Sequence, residues 1–285
     1  MIQFTKMQGL GNDYLLIDAM KGAPAEGKLP ALARALCDRH FGVGADGLIL
    51  VLPSRAADFK MRIFNADGSE AEMCGNGVRL FARFVYERGY TRETDLEIET
   101  LAGLIRPRLR LRAGKIAGVR VDMGPPRLSR SAIPMKGSDQ PRVVNEPLRV
   151  GGRRHSITAV SMGNPHCVLF VDDVDRFPVA QVGPAIENHD VFPRRTNVEF
   201  VQVVGSGEIK MRVWERGAGE TLACGTGASA SLVAAVLNGL SPRKATLHLR
   251  GGDLKVSWNP EDDHVFTEGP AVEVCTGESR LDEGL

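Results

Sequence analysis

Shifted by 150 residues, the 285-residue chain matches itself. Lys60-Met61-Arg62-Ile63-Phe64 falls on Lys210-Met211-Arg212-Val213-Trp214. Without a gap, Glu70 then falls on Glu220, Cys74-Gly75 on Cys224-Gly225, Gly77 on Gly227 and Gly89 on Gly239. That is eight identities in thirty positions, where composition alone gives roughly two. At nearly the same offset Leu10-Gly11-Asn12 falls on Met162-Gly163-Asn164, each block leading into an apolar run. A duplicated unit restricts the chain to two similar lobes. The Gly124-Pro125-Pro126 punctuation lies at the boundary. The reading is an N-terminal lobe of residues 1–122, completed by 269–285, and a C-terminal lobe of 123–268.

Each copy has the same local pattern. An alternating strand (KMRIF or KMRVW) enters a polar Gly-rich loop, NADGSEAEM or ERGAGETLA, followed by Cys-Gly-x-Gly. A helix opens there: GVRLFARFVYERG in the first copy, with arginines between its apolar residues, and GASASLVAAVLNGL in the second. The second has no charged residue between Cys224 and Leu240, and a helix apolar or small on every face belongs inside a fold. Gly89 and Gly239 stand where C-terminal caps belong. Hairpin-like pairs follow in LEIETLAGLIRPRLRL and TLHLRGGDLKVSW. The fold class is therefore α+β. Each pseudo-symmetric lobe is a curved, mostly antiparallel sheet or barrel around one central helix.

Composition excludes some functions. Lys+Arg 36 against Asp+Glu 35 leaves a net charge of +1, which argues against a nucleic-acid partner. No apolar run is long enough to span a membrane, and the N-terminus lacks a secretory signal, so a cytoplasmic protein is expected. The five cysteines have neither disulfide-framework nor zinc-ligand spacing. Cys37, Cys167 and Cys275 are read as small buried hydrophobes.

Cys74 and Cys224 are different, because each precedes a helix at the same place in the repeat. A helix N-terminus has free N–H groups and about half a positive charge, and both stabilise a thiolate. The adjoining glycines let a substrate carboxylate approach the same N–H groups. One such thiol suggests a nucleophile, whereas a matched pair suits inversion at a carbon. One thiolate removes a proton from one face, and the partner thiol returns one to the other. The bland alternative, cysteine as filler at a tight helix entry, explains one copy better than two.

Other signals are weaker. Gly42-Val43-Gly44-Ala45-Asp46-Gly47 matches a dinucleotide fingerprint, but it follows a helix and precedes a strand, the reverse of the required order. No lysine stands out as a pyridoxal-phosphate attachment site. His166 in Gly-Asn-Pro-His could be a turn residue; its place in the repeated Gly-Asn block makes it a candidate.

The blocks GLGNDY (9–14), GVGADG (42–47), FNADGSEAEMCGNG (64–77), SMGNPHC (161–167), RTNVEF (195–200) and WERGAGETLACGTG (214–227) together resemble the diaminopimelate epimerases, over essentially the whole chain. The resemblance implies a cofactor-independent, homodimeric epimerase of lysine and cell-wall precursor synthesis. It interconverts LL- and meso-diaminopimelate without metal, nucleotide or pyridoxal. It implies Cys74 and Cys224 as the acid/base pair, tuned by His166 and Glu215. Backbone at Gly75-Asn76 and Gly225-Thr226 would receive the reacting carboxylate. Asn12, Asn65, Asn164, Asn197, Glu215 and Arg216 would hold the substrate, Arg216 through its distal carboxylate. Some relatives carry a substrate-contacting Gln where Gly47 stands. Three rivals are a proline or hydroxyproline racemase, a redox sensor joining Cys74 to Cys224, and a non-catalytic amino-acid-binding relative.

Overall fold

The structure, a computed structural model, describes residues 1–281. It comprises two compact units, Met1–Val121 with the segment from Gly269 onward, and Asp122–Glu268.

The first unit begins with a hairpin of β1 (Ile2–Gly9) and β2 (Asn12–Asp18). Helix α1 (Leu29–Cys37) leads to β3 (Gly47–Leu52), β4 (Phe59–Asn65) and the two-residue β5 (Glu70–Ala71). Helix α2 (Gly75–Glu87) precedes β6 (Ile98–Thr100), β7 (Gly103–Ile105), β8 (Arg108–Arg112) and β9 (Lys115–Asp122). In the second unit β10 (Val143–Val150), β11 (Arg153–Ser161) and β12 (Pro165–Phe170) lead to helix α3 (Val179–Glu187). Strands β13 (Asn197–Gly205), β14 (Glu208–Glu215) and β15 (Gly219–Thr221) precede helix α4 (Gly225–Leu237). Then come β16 (Lys244–Leu249), β17 (Gly252–Trp258) and β18 (Val265–Gly269). Strand β19 (Val272–Ser279) belongs to the first unit.

The duplication is topological as well as sequential. The first sheet runs β19-β1-β2-β3-β4-β6-β7 with β5 beside β4. In the second unit the order is β10-β11-β12-β13-β14-β16-β17 with β15 beside β14, and it continues through β18 beside β17. The parallel pairs fall at equivalent places, β2·β3 with β12·β13 and β4·β6 with β14·β16. A helix bridges each of the four, because a parallel pair needs a crossover. The sheets are thus mixed, and the barrel alternative is wrong. Neither sheet closes among the described residues, since the two ends of each order do not pair with each other.

In each unit the sheet has helix on both faces, so its middle strands are apolar on both sides. Leu15, Ile17, Leu48 and Leu50 join α1 residues Leu29, Leu32 and Leu36 in one cluster. The alternate residue Ile49 reaches the first turn of α2 beside Gly77. In the second unit Cys167, Leu169, Val198 and Phe200 cluster with Val179 and Ile186 of α3. Helix α4 packs against β11, β12, β13, β14, β16 and β17. Ala228, Ala230, Ala234 and Ala235 are fully buried, as expected for a helix small on every face. Of the three cysteines read as core filler, Cys37 and Cys167 are buried, but Cys275 is exposed on β19, whose residues have little covering them.

Both central helices end alike. Gly89 (φ 76°) and Gly239 (φ 69°) take the left-handed conformation. Their N–H groups reach Tyr86 O and Val236 O, while Tyr90 and Leu240 donate to Val85 O and Ala235 O. That double bond is the Schellman pattern.

Candidate active site

The helices begin two residues earlier than GVRLF and GASAS suggest, directly after each cysteine. Cys74 and Cys224 are the N-caps, in extended conformation (φ −141° and −132°). Cys74 Sγ accepts the N–H of Gly77 at 3.5 Å, and Cys224 Sγ that of Gly227 at 3.4 Å. Sulfur thus occupies the place a Ser or Asp oxygen usually takes at the positive end of a helix. Gly75-Asn76 and Gly225-Thr226 are the first two helical residues, whose N–H groups have no acceptor within the helix.

The surroundings of the two caps differ. Cys74 Sγ–H points to Asn12 Oδ1 at 3.7 Å, and Asn76 Nδ2 donates to the same oxygen at 3.0 Å. Asp46 Oδ2 accepts from Asn12 Nδ2 at 2.7 Å, which fixes the orientation of that amide. Asp46 is itself held by Arg39, which also bonds Asp13. Against the upward pull of burial, Arg39 and Lys6 keep the Asp13 carboxyl low. Tyr14 lies beside Cys74, and burial first, then the charge of Cys74, pushes its hydroxyl up. Arg79 is fully buried, with Nη2 donating to Asn76 Oδ1 at 2.7 Å and Nε to Pro270 O at 3.2 Å.

Around Cys224 the charges are acidic. Thr226 Oγ1 lies 3.4 Å from its Sγ, and Asn164 Nδ2 donates to that hydroxyl at 3.3 Å. His166 Nε2 is 2.9 Å from Asn164 Oδ1, and Nδ1 is 2.7 Å from Glu199 Oε1. Both side chains are fully buried, and Glu199 Oε2 has no partner. Glu215, at the end of β14, accepts from Thr221 Oγ1 at 2.5 Å. Burial raises the Glu215 carboxyl. Burial also pushes the Cys224 thiol well up, with the charges of Glu215 and Glu199 adding to it.

The other site residues divide. Asn197 accepts the backbone N–H of Arg216 at 2.9 Å and donates to Pro165 O at 3.1 Å, so it ties the Glu215-Arg216 turn to β12. Arg216 is exposed. The turn after β14 carries it outward, and its Nη1 donates to Arg194 O. Glu220 on β15 pairs with Arg212 and Arg250. Asn65 Nδ2 bonds Ser69 Oγ across the β4–β5 turn, as a turn residue does. At Gly47 a Cβ would lie 2.6 Å from Phe64 O and 2.8 Å from the Tyr14 ring, so Tyr14 occupies the room a Gln would need. The Gly42–Gly47 segment does join α1 to β3, in the order that rules out the dinucleotide motif.

The sequence model of the diaminopimelate epimerase family matches residues 4–129 and 158–274. The chain belongs to that family. The diaminopimelate epimerase of Moorella thermoacetica is 59% identical over 281 residues, 99% of this chain and all of that one. That of Pelotomaculum thermopropionicum is 58% identical, covering 97% and 98%. That of Methanococcus maripaludis is 50% identical, covering 97% and 99%. Among solved structures, a PhzF-family phenazine biosynthesis protein of Bacillus anthracis superposes with a TM-score of 0.72 at 17% identity, over 98% of each chain. A probable proline racemase from Agrobacterium radiobacter gives 0.69 at 17%, over 99% and 94%. At such identities the likeness shows the fold alone.

Sequence reasoning missed Tyr14, Asp46, Arg79 and Glu199. The repeat held signals for two. At the offset of the Gly-Asn block Tyr14 falls on His166, and at 150 Glu199 falls on Ile49. A carboxylate replacing an isoleucine in one copy of a strand marks divergence. Arg79 is one of the arginines between the apolar residues of α2, and it is buried with them. Asp46 had no signal beyond a turn.

Proposed function

We propose that this chain interconverts LL- and meso-diaminopimelate by two-base proton transfer at Cα. The carrying observation is the matched pair of cysteine N-caps, Cys74 and Cys224, on duplicated units. One sulfur, as thiolate, takes the Cα proton, and the other, as thiol, delivers a proton to the opposite face. Two groups so coupled titrate as a pair. The free N–H groups at Gly75-Asn76 and Gly225-Thr226 receive the α-carboxylate, where charge develops as the proton leaves. His166 and Glu215 tune the pair. Asn12, Asn65, Asn164, Asn197, Glu215 and Arg216 hold the substrate, Arg216 pairing with the distal carboxylate.

The chemistry needs no metal, nucleotide or pyridoxal. A place in lysine and cell-wall precursor synthesis, in the cytoplasm and as a homodimer, completes the reading. It is tested by incubating pure protein with LL-diaminopimelate and, separately, with L-proline, then resolving stereoisomers. Approach to an LL/meso mixture with proline unchanged supports it. Racemised proline with untouched diaminopimelate would replace it with the proline racemase reading.

A further inference from the structure

Glu187 is the last residue of α3, and its side chain is only 6% exposed. Both circumstances are unfavourable, because a helix C-terminus carries partial negative charge and burial strips a carboxylate of water. Three donors offset them. Oε2 accepts the indole N–H of Trp214 at 2.7 Å, and Oε1 accepts the backbone N–H of Gly217 at 2.9 Å and Arg195 Nη1 at 3.2 Å. These donors surround Arg216. Trp214 precedes the Glu215-Arg216 pair and Gly217 follows it, while Arg195 adjoins Arg194, whose carbonyl receives the Arg216 guanidinium.

The arrangement belongs to one copy of the repeat only. At the offset of 150, Glu187 falls on Cys37, the last residue of α1, Trp214 on Phe64, and Gly183 on Ala33. Cys37, Phe64 and Ala33 share one apolar cluster. In their places the second unit has a carboxylate, the indole that donates to it, and a glycine that gives the larger ring room. A Cβ at Gly183 would lie 2.6 Å from Trp214 Cγ. Arg216 itself falls on Ala66. All four positions diverge together, and they meet at one turn.

We propose that Glu187 is a positioning residue for substrate selection. Through Trp214, Gly217 and Arg195 it fixes both the turn that carries Arg216 and the carbonyl on which that guanidinium rests, and so sets where the distal carboxylate is received. This rests on the reading of Arg216 as the partner of that carboxylate. An exposed arginine has many rotamers, and ordering it on binding costs affinity; a fixed turn lessens that cost.

The test is steady-state kinetics on LL-diaminopimelate for wild type, Glu187→Gln, Arg216→Met and the double variant. Glutamine keeps the shape of Glu187, but it has one acceptor oxygen and turns an amide N–H toward a donor whichever way it faces. Glu187→Gln should raise KM about tenfold and change kcat by no more than about twofold, the pattern of lost binding shared by ground and transition states. In the Arg216→Met background it should lower kcat/KM by no more than about a further twofold. A role confined to stability would lower Tm and the amount of active enzyme and leave KM alone. A folded Glu187→Gln enzyme with wild-type KM overturns the proposal by itself, as do losses that multiply in the double variant. Wild-type KM and kcat in Arg216→Met overturn the distal-carboxylate reading, and the proposal with it. One measurement needs no variant to fold: in wild-type protein without substrate, labelled at glycine nitrogen, the Gly217 amide should exchange at least about a hundredfold slower than an open amide. Exchange at the open rate would remove the tie to Glu187 and overturn the proposal.

Discussion

The repeat allows one perturbation to be made twice, at Gly77 and Gly227. Both are third in their helices, and both donate to the capping sulfur. Alanine at either gains about 1 kcal/mol of helix propensity over glycine. At Gly77 the new methyl would meet Ile49 Cδ1 at 3.1 Å, the movable end of an aliphatic chain. At Gly227 it would lie 2.7 Å from Glu199 Oε1 and 3.3 Å from Cys224 Sγ. Glu199 cannot yield easily, because it is fully buried and bonded to His166. Overpacking costs about 1–3 kcal/mol, and leaving a buried hydrogen-bonding group without its partner about 1–3 kcal/mol. Gly77→Ala should therefore change stability by no more than about 1 kcal/mol in either direction. Gly227→Ala should lose at least about 1 kcal/mol net, and should also slow turnover by displacing the Cys224 sulfur. Urea melts of the two variants beside wild type, with kcat on diaminopimelate, make the comparison. Equal destabilisation at the two glycines would refute the claim that Glu199 fills the space under α4.

Cys74→Ala and Cys224→Ala should each reduce epimerisation by ~10²–10⁴, and near-normal turnover in either removes the two-base reading. Arg216→Met should leave the melt within about 0.5 kcal/mol of wild type, since the side chain is exposed. The same variant should lose several kcal/mol in kcat/KM on diaminopimelate, computed from the rate ratio; unchanged kinetics would exclude the distal-carboxylate role. Burial pushes Cys37 up to about 12, and Cys167 and Cys224 are also raised. Unfolded thiols ionise near ~8.5, so above that pH the unfolded chain sheds protons the folded one keeps. Each buried thiol then costs up to ~1.4 kcal/mol per pH unit as pH rises toward its folded value. The urea midpoint should fall between pH 8 and pH 10, and Cys167→Ala should flatten the slope; a flat wild-type profile would contradict the burial.

The repeat made the site legible because it labelled two cysteines and two helix starts at once. Gly89 and Gly239 were readable as caps because left-handed backbone favours glycine. The strand order was less so, since crossovers through α1 and α3 turn neighbours parallel without altering the apolar pattern of LILVL or VEFV. The polar contacts that distinguish the two caps join residues far apart in the chain. Asn12 meets Asp46 and His166 meets Glu199 across separations of 34 and 33 residues, and nothing local announces such pairs. Exposure of Arg216 and burial of Arg79 also escaped, because an arginine's environment depends on what packs over it.

The most direct test of the two-base claim is the distribution of isotope at the earliest stage of reaction. LL-diaminopimelate is incubated with the protein in deuterium oxide and sampled while conversion is a few per cent. Two sulfurs on opposite faces predict one deuterium at the inverted Cα of the meso product and almost none in recovered LL substrate, because the base facing each isomer returns the proton it took before exchanging it. Deuterium accumulating in unreacted LL substrate as fast as in product would mean a single base serves both faces, and the account would be wrong.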